Sequence, residues 1–216
     1  GEIEAYIILG DLELRIGNDP LARSYFNRGF TIGVEMDSLA IMVSTKLLLG
    51  KTYINGTNQS TGLMYLQEAS DMAEKDQNHV LRTKCSSALG AWYNHFSAYN
   101  TAIGYLELAL ESAMQSGEEE LIASVMHALG NTYLKSNQHD LAYSSFEKSL
   151  RKNEVLGNKD KQAILCYELG VLKLELGQQD EALIFFRNSL TLATDIGLKE
   201  YITKGYQVLS EVYEQN

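Results

Sequence analysis

Few residues in this chain are spaced as chemistry requires. Gly50-Lys51-Thr52 imitates the end of a phosphate-binding loop, G-x-x-x-x-G-K-[ST], but Thr45 stands where the first glycine belongs and no strand-like run precedes it. The four histidines, His79, His95, His127 and His139, are spread along the chain, whereas a zinc site needs three or four converging ligands. No H-E-x-x-H, C-x-x-C or G-x-G-x-x-G occurs. Glu118-Glu119-Glu120 reads as a solvated helix start, where carboxylates favour the positive end of the macrodipole. The sequence therefore predicts no catalytic residue, no metal, no cofactor and no enzyme.

What the chain does carry is a repeat. Leu9-Gly10, Leu49-Gly50, Leu89-Gly90, Leu129-Gly130 and Leu169-Gly170 recur every 40 residues, and Leu209-Ser210 is a sixth copy with the glycine changed. Three residues after the glycine stand Tyr53, Tyr93, Tyr133 and Tyr213, with Glu13 and Lys173 as exceptions. Twelve after it stand Ala22, Gly62, Ala102, Ala142 and Ala182; sixteen after it, Phe26, Leu66, Leu106, Phe146 and Phe186; nineteen after it, Gly29, Ala69, Ala109, Ser149 and Ser189. Spacings of three and four place these residues on single helix faces. A mid-helix glycine costs about 1 kcal/mol relative to alanine, so five of them predict close approach of a neighbouring helix.

The set resembles the tetratricopeptide repeat, whose pattern is W-x2-L-G-x2-Y, then A-x3-F, then P. Leu129-Gly130-Asn131-Thr132-Tyr133 followed by Ala142 and Phe146 matches it, as do Leu169-Gly170, Ala182 and Phe186. The period is 40 rather than 34, which predicts longer helices. The Trp slot holds Tyr6, Lys46, Ser86, Met126, Cys166 and Tyr206, and Gly117, Gly157 and Gly197 replace the closing Pro, as suits a C′ position with positive φ. HEAT and armadillo repeats have similar periods and stand as the minor alternative, but they lack the Leu-Gly/Tyr/Ala/Phe set. The resemblance implies an all-α, right-handed tetratricopeptide-like solenoid of five helical hairpins plus one C-terminal helix. Residues 1–216 form one stack with repeats at about 1–37, 38–77, 78–117, 118–157 and 158–197 and a lone helix at 198–215.

Charge and cysteines narrow the partners. A net charge of −10 repels phosphate backbones, so nucleic acid is not an expected partner, whereas a basic or amphipathic peptide is electrostatically easier. Cys85 and Cys166 lie two repeats apart, too far for a disulfide, and are expected to be free. No apolar run reaches the roughly 18 residues of a membrane span, so no membrane insertion is expected in this segment. The start at Gly1 and the end at Asn216, midway through a hairpin, read as a fragment of a longer protein. The uncapped last helix is then a surface for self-association.

In tetratricopeptide folds the first helix of each hairpin lines the concave side. By that resemblance the groove comprises Leu47, Lys51 and Ile54; Ser87, Ala91 and Asn94; His127, Asn131 and Leu134; Tyr167, Val171 and Leu174, with Lys84 and Ser124 at its edge. Lys51, Lys84, Asn94, His127, Asn131 and Tyr167 are the expected partner-binding residues. Polar anchors beside apolar pockets suit an extended peptide or a helix. The carboxylate clamp of chaperone-binding relatives is not reproduced. Its best register gives His127, Asn131, Glu168, Lys204 and Val208, in which Glu168 repels a carboxylate and an arginine is missing. The expected function is non-catalytic protein or peptide recognition. The alternative is a ligand- or peptide-sensing regulatory module of a larger bacterial signalling protein such as a histidine kinase or diguanylate cyclase.

Overall fold

The computed structural model describes residues 1–56 and 58–214, the side chains of 213 and 214 excepted, so Thr57 and the column member Tyr213 lie outside it. Among the described residues there are eleven helices and no strand. The chain forms two compact units, Gly1–Ser116 and Gly117–Asn216. Unit 1 contains α1 (Glu2–Arg15), α2 (Asp19–Glu35), α3 (Leu39–Lys51), α4 (Gln59–Lys75), α5 (His79–His95) and α6 (Tyr99–Ser116). Unit 2 contains α7 (Glu119–Lys135), α8 (His139–Leu156), α9 (Lys159–Glu175), α10 (Gln179–Ile196) and α11 (Lys199–Glu214). Within each unit every helix packs against the next in sequence, so the helices form hairpins and the hairpins stack.

The glycine column is where the two helices of a hairpin meet. A methyl group on Gly10 would lie 2.4 Å from the Phe26 ring, one on Gly130 2.5 Å from Phe146, and one on Gly170 2.6 Å from Phe186. On Gly50 and Gly90 it would lie 2.6 Å from Leu66 and 2.7 Å from Leu106. Large residues of the second helix therefore press onto bare backbone of the first, and Phe26, Phe146 and Phe186 are fully buried there. That contact offsets the helix-propensity cost of glycine.

Outside the α3–α4 connection, each turn between helices uses one residue of positive φ. Gly117, Gly157 and Gly197 take it between hairpins, at 71°, 73° and 71°, where Asp37 and Gln77 stand in unit 1 at 50° and 51°. Gly157 and Gly197 are left-handed C-caps, as the missing Pro led one to expect.

Helix α3 departs from the rule. It has 13 residues where α5, α7 and α9 have 17. Thr52, Tyr53 and Ile54 are β-branched or aromatic, and Asn55-Gly56 is a turn dipeptide, so the sequence does not sustain the last helical turn. The backbone instead tightens into 3₁₀-type bonds: the N–H groups of Thr52, Tyr53 and Ile54 donate to the carbonyls of Leu49, Gly50 and Lys51.

Candidate binding surface

In unit 2 the first helices α7 and α9 and the lone helix α11 supply the residues of interest. Helix α7 carries His127 and Asn131, one turn apart on one face. Helix α9 answers with Glu168. His127 Nε2 donates to Glu168 Oε2 at 2.5 Å, and Asn131 Nδ2 donates to Glu168 Oε1 at 3.3 Å. The His127 and Glu168 side chains keep 22% and 19% of their exposure, so the cluster is accessible without being loosely solvated. Both carboxylate oxygens are engaged, yet each retains a lone pair for a further donor.

Beside this cluster lies an aromatic one. The Tyr167 ring packs edge-on to Tyr201 of α11 at 5.5 Å and tilts against buried Phe186 at 5.5 Å. Lys204 Nζ sits 4.7 Å from the Tyr201 centroid and 5.8 Å from that of Tyr167, and it is bonded to Glu200 at 2.6 Å. The hydrogen bond to Glu200 holds the Lys204 ammonium above the usual lysine range. Burial pushes the Tyr201 phenol up, with Lys204 working against it and the Glu168 charge adding to it. At neutral pH the face thus offers a cation, a protonated phenol, an amide and a carboxylate. Val171 and Leu174 supply half-buried apolar surface over the core of Ala182, Phe186, Val208 and Val212.

The remaining sequence-derived residues lie in unit 1. Lys51 is the last residue of α3, exposed at the mouth of a cleft. Lys84 is exposed on α5, and Asn94 is half-buried near the end of that helix. Leu47, expected on the groove, is instead 8% exposed and belongs to the core of unit 1 with Val43, Leu66 and Trp92. Its correction follows from the close approach of α3 and α5, which covers that position.

Two residues of this surface were not assigned to it by the sequence. Glu168 counted only as an obstacle to a carboxylate clamp, and the structure makes it the hub of the polar cluster. Its signal is a break in a column that otherwise reads Ile8, Leu48, Ala88, Ala128 and Val208. Lys204 occupies the repeat position of Lys84 and Ser124, and that equivalence places it on the same helix face. The outer side of α11 exposes Thr203, Gln207, Ser210 and Glu211 together with Tyr206, which is 63% exposed.

Cys85 and Cys166 are free and buried. Burial pushes their thiols up to about 12 and about 11, Glu74 adding to the first and Glu154 to the second. They act as small hydrophobes. Among the described residues no helix is long and apolar enough to cross a membrane.

Comparison with known proteins agrees with this architecture. Residues 121–195 match the tetratricopeptide repeat family. No curated protein matches the chain significantly. Among solved structures, BtubC (BKLC) from P. vanneervenii superposes with a TM-score of 0.81 at 17% identity, over 89% of this chain and 82% of that one. A signal transduction ATPase with a tetratricopeptide repeat sensor from Pyrococcus horikoshii gives 0.78 at 17% identity, over 94% of this chain and 31% of that one. The Rap conjugation gene regulator of plasmid pLS20, in complex with the Phr* peptide, gives 0.73 at 20% identity, over 97% and 58%. The chain thus spans about a third and somewhat over half of the latter two. At these identities the structures speak for the fold alone: the chain has a tetratricopeptide-like α-solenoid fold, and its residues 121–195 match the tetratricopeptide repeat family.

Proposed function

We propose that the chain is a non-catalytic scaffold that binds a protein or peptide on the faces of its first helices. The observation that carries this reading is the half-buried His127–Glu168–Asn131 cluster beside Tyr167, Tyr201 and Lys204. Glu168 favours a partner that brings an amide or cationic donor, and Tyr167, Val171 and Leu174 accept an apolar residue next to it. A basic, amphipathic peptide satisfies both, in keeping with the net charge of −10. On unit 1 the same reading assigns Lys51, Lys84 and Asn94 to partner contacts.

A peptide array followed by titration of the best binder tests it. Glu168→Gln and Asn131→Ala should each weaken binding about tenfold, the size of one charge-assisted contact. Wild-type affinity in both variants would remove the unit 2 face from the reading. Lys84→Glu and Asn94→Ala ask the same of unit 1.

A second reading is supported by two of the structural relatives, one described as a sensor and one bound to a peptide. In it the chain is the ligand- or peptide-sensing part of a larger signalling protein. Reading the gene beyond residue 216 decides: an output domain supports this version, and a stop codon after one further helix removes it.

A further inference from the structure

Unit 1 contains a cleft that the repeat pattern does not call for. Its volume is about 520 Å³, within the range of small-molecule sites. Two sequence changes in the second repeat stand beside it. The early end of α3 leaves Thr52, Ile54 and Asn55 lining the cleft as turn rather than helix. At the start of α4, Gly62 replaces the alanine of the other repeats, and the Trp92 indole from α5 occupies the vacated space. A methyl group on Gly62 would lie 2.5 Å from Trp92 Cη2 and 2.8 Å from Tyr53 Cβ.

The lining sorts by chemistry. Leu66 and Trp92, 1% and 5% exposed, form an apolar floor, with Ala88 and Ala91 beside them. Two opposite charges belong to the same cleft: Asp19 from the first turn of α2 and Lys51 from the last turn of α3. Among the described residues neither is held in an ion pair. An apolar pocket bearing one free carboxylate and one free ammonium complements a ligand with the same three features.

We infer that this cleft binds a free apolar amino acid, its ammonium on Asp19, its carboxylate on Lys51 and its side chain against Leu66 and Trp92. The site is separate from the unit 2 face proposed above; Lys51 is the one residue both readings use. Trp92 is the sole tryptophan of the chain, so its emission reports occupancy without a label.

The test is a fluorescence titration of the full chain with L-leucine, N-acetyl-L-leucine and L-leucinamide, repeated by calorimetry. Leucine should give a saturable change in Trp92 emission, and each blocked analogue should bind about tenfold more weakly, as expected for loss of one charged contact. Lys51→Met should weaken leucine about tenfold while leaving leucinamide unchanged; Asp19→Asn should do the converse with N-acetyl-leucine. Asn131→Ala and Glu168→Gln in unit 2 should leave the leucine response as in wild type, so this inference and the peptide reading fail separately. Equal binding of leucine and both blocked analogues would overturn the inference, as would neither heat nor emission change up to about 10 mM ligand, a threshold weaker than useful recognition.

Discussion

Unit 1 and unit 2 stack the same hairpins and fasten them differently. In unit 2 the wedge pressed onto the glycine is a phenylalanine, Phe146 or Phe186, whereas two of the three hairpins of unit 1 use Leu66 and Leu106. Unit 2 adds a buried hydrogen bond in each hairpin: the Ser149 and Ser189 hydroxyls donate at 2.7 Å to the carbonyls of Ala123 and Ala163. Unit 1 has Gly29, Ala69 and Ala109 at that position and carries a tyrosine pair in each of its three hairpins, Tyr6–Tyr25 at 6.2 Å, Tyr53–Tyr65 at 6.0 Å and Tyr93–Tyr105 at 5.4 Å. The family match covers only residues 121–195, within unit 2. Unit 1 thus keeps the hairpin with a different fastening, and it is in this unit that the cleft lined by Asp19, Lys51 and Trp92 lies.

The sharpest break of this comparison is at the glycine column. A ring cannot yield as an aliphatic chain can, so Gly170→Ala should cost about 2 kcal/mol through overpacking, net of the helix-propensity gain. Gly90→Ala, facing Leu106, should cost about half of that. Cys85 and Cys166 lie one in each unit and provide the readout. Both should react with a thiol reagent at least ~1000-fold more slowly than in the unfolded chain. Gly170→Ala should speed Cys166 more than Cys85, and equal acceleration of both would show that the units do not open independently. The same thiols give a pH signature. Their folded values lie above the ordinary thiol range, so the folded chain holds these protons more tightly than the unfolded one. Their contribution is complete below about pH 9 and is lost as pH rises toward 11–12. Denaturant midpoints across that window check it.

The stitching residues come next. Ser189→Ala removes one buried donor and should cost about 1 kcal/mol. Tyr105→Leu keeps an apolar side chain but loses the ring pair with Tyr93, and should also cost about 1 kcal/mol. Equal costs from unlike chemistry would mean that the two units reach the same fastening by separate routes. A negligible cost for Ser189→Ala would leave the Phe wedge alone holding unit 2.

Much of this was legible in the sequence, for a physical reason. Leu129-Gly130, Ala142 and Phe146 recur at spacings that a helix must turn into one face, so the fold and the packing role of the glycines could be read before any coordinates. His127, Asn131 and Tyr167 could be placed on first helices by the same arithmetic. Glu168 could not be assigned its role, because its partners lie 41 and 37 residues upstream and meet it only through the stacking of α7 on α9. Leu47 was misplaced for a related reason: face arithmetic fixes direction around one helix and says nothing of how closely the next helix covers it. The short α3 did carry a signal, in Thr52-Tyr53-Ile54 followed by Asn55-Gly56, but the forty-residue register outweighed it.

The smallest expected effects lie in the turns, where the units differ by residue rather than by shape. Gln77 and Gly157 stand in equivalent turns and share positive φ, at 51° and 73°. A side chain in that region is strained by contact of Cβ with the backbone, and glycine is not. Gln77→Gly should therefore stabilise unit 1 by somewhat under ~1 kcal/mol, since relief of strain outweighs the larger entropy of the unfolded glycine. Gly157→Ala should destabilise unit 2 by about 1 kcal/mol. The two substitutions move residues in opposite directions between the same two states, so their denaturation midpoints should shift with opposite signs. Shifts of the same sign would mean that the turns, alike in φ, are held by different contacts, and that the equivalence of the two units stops at the helices.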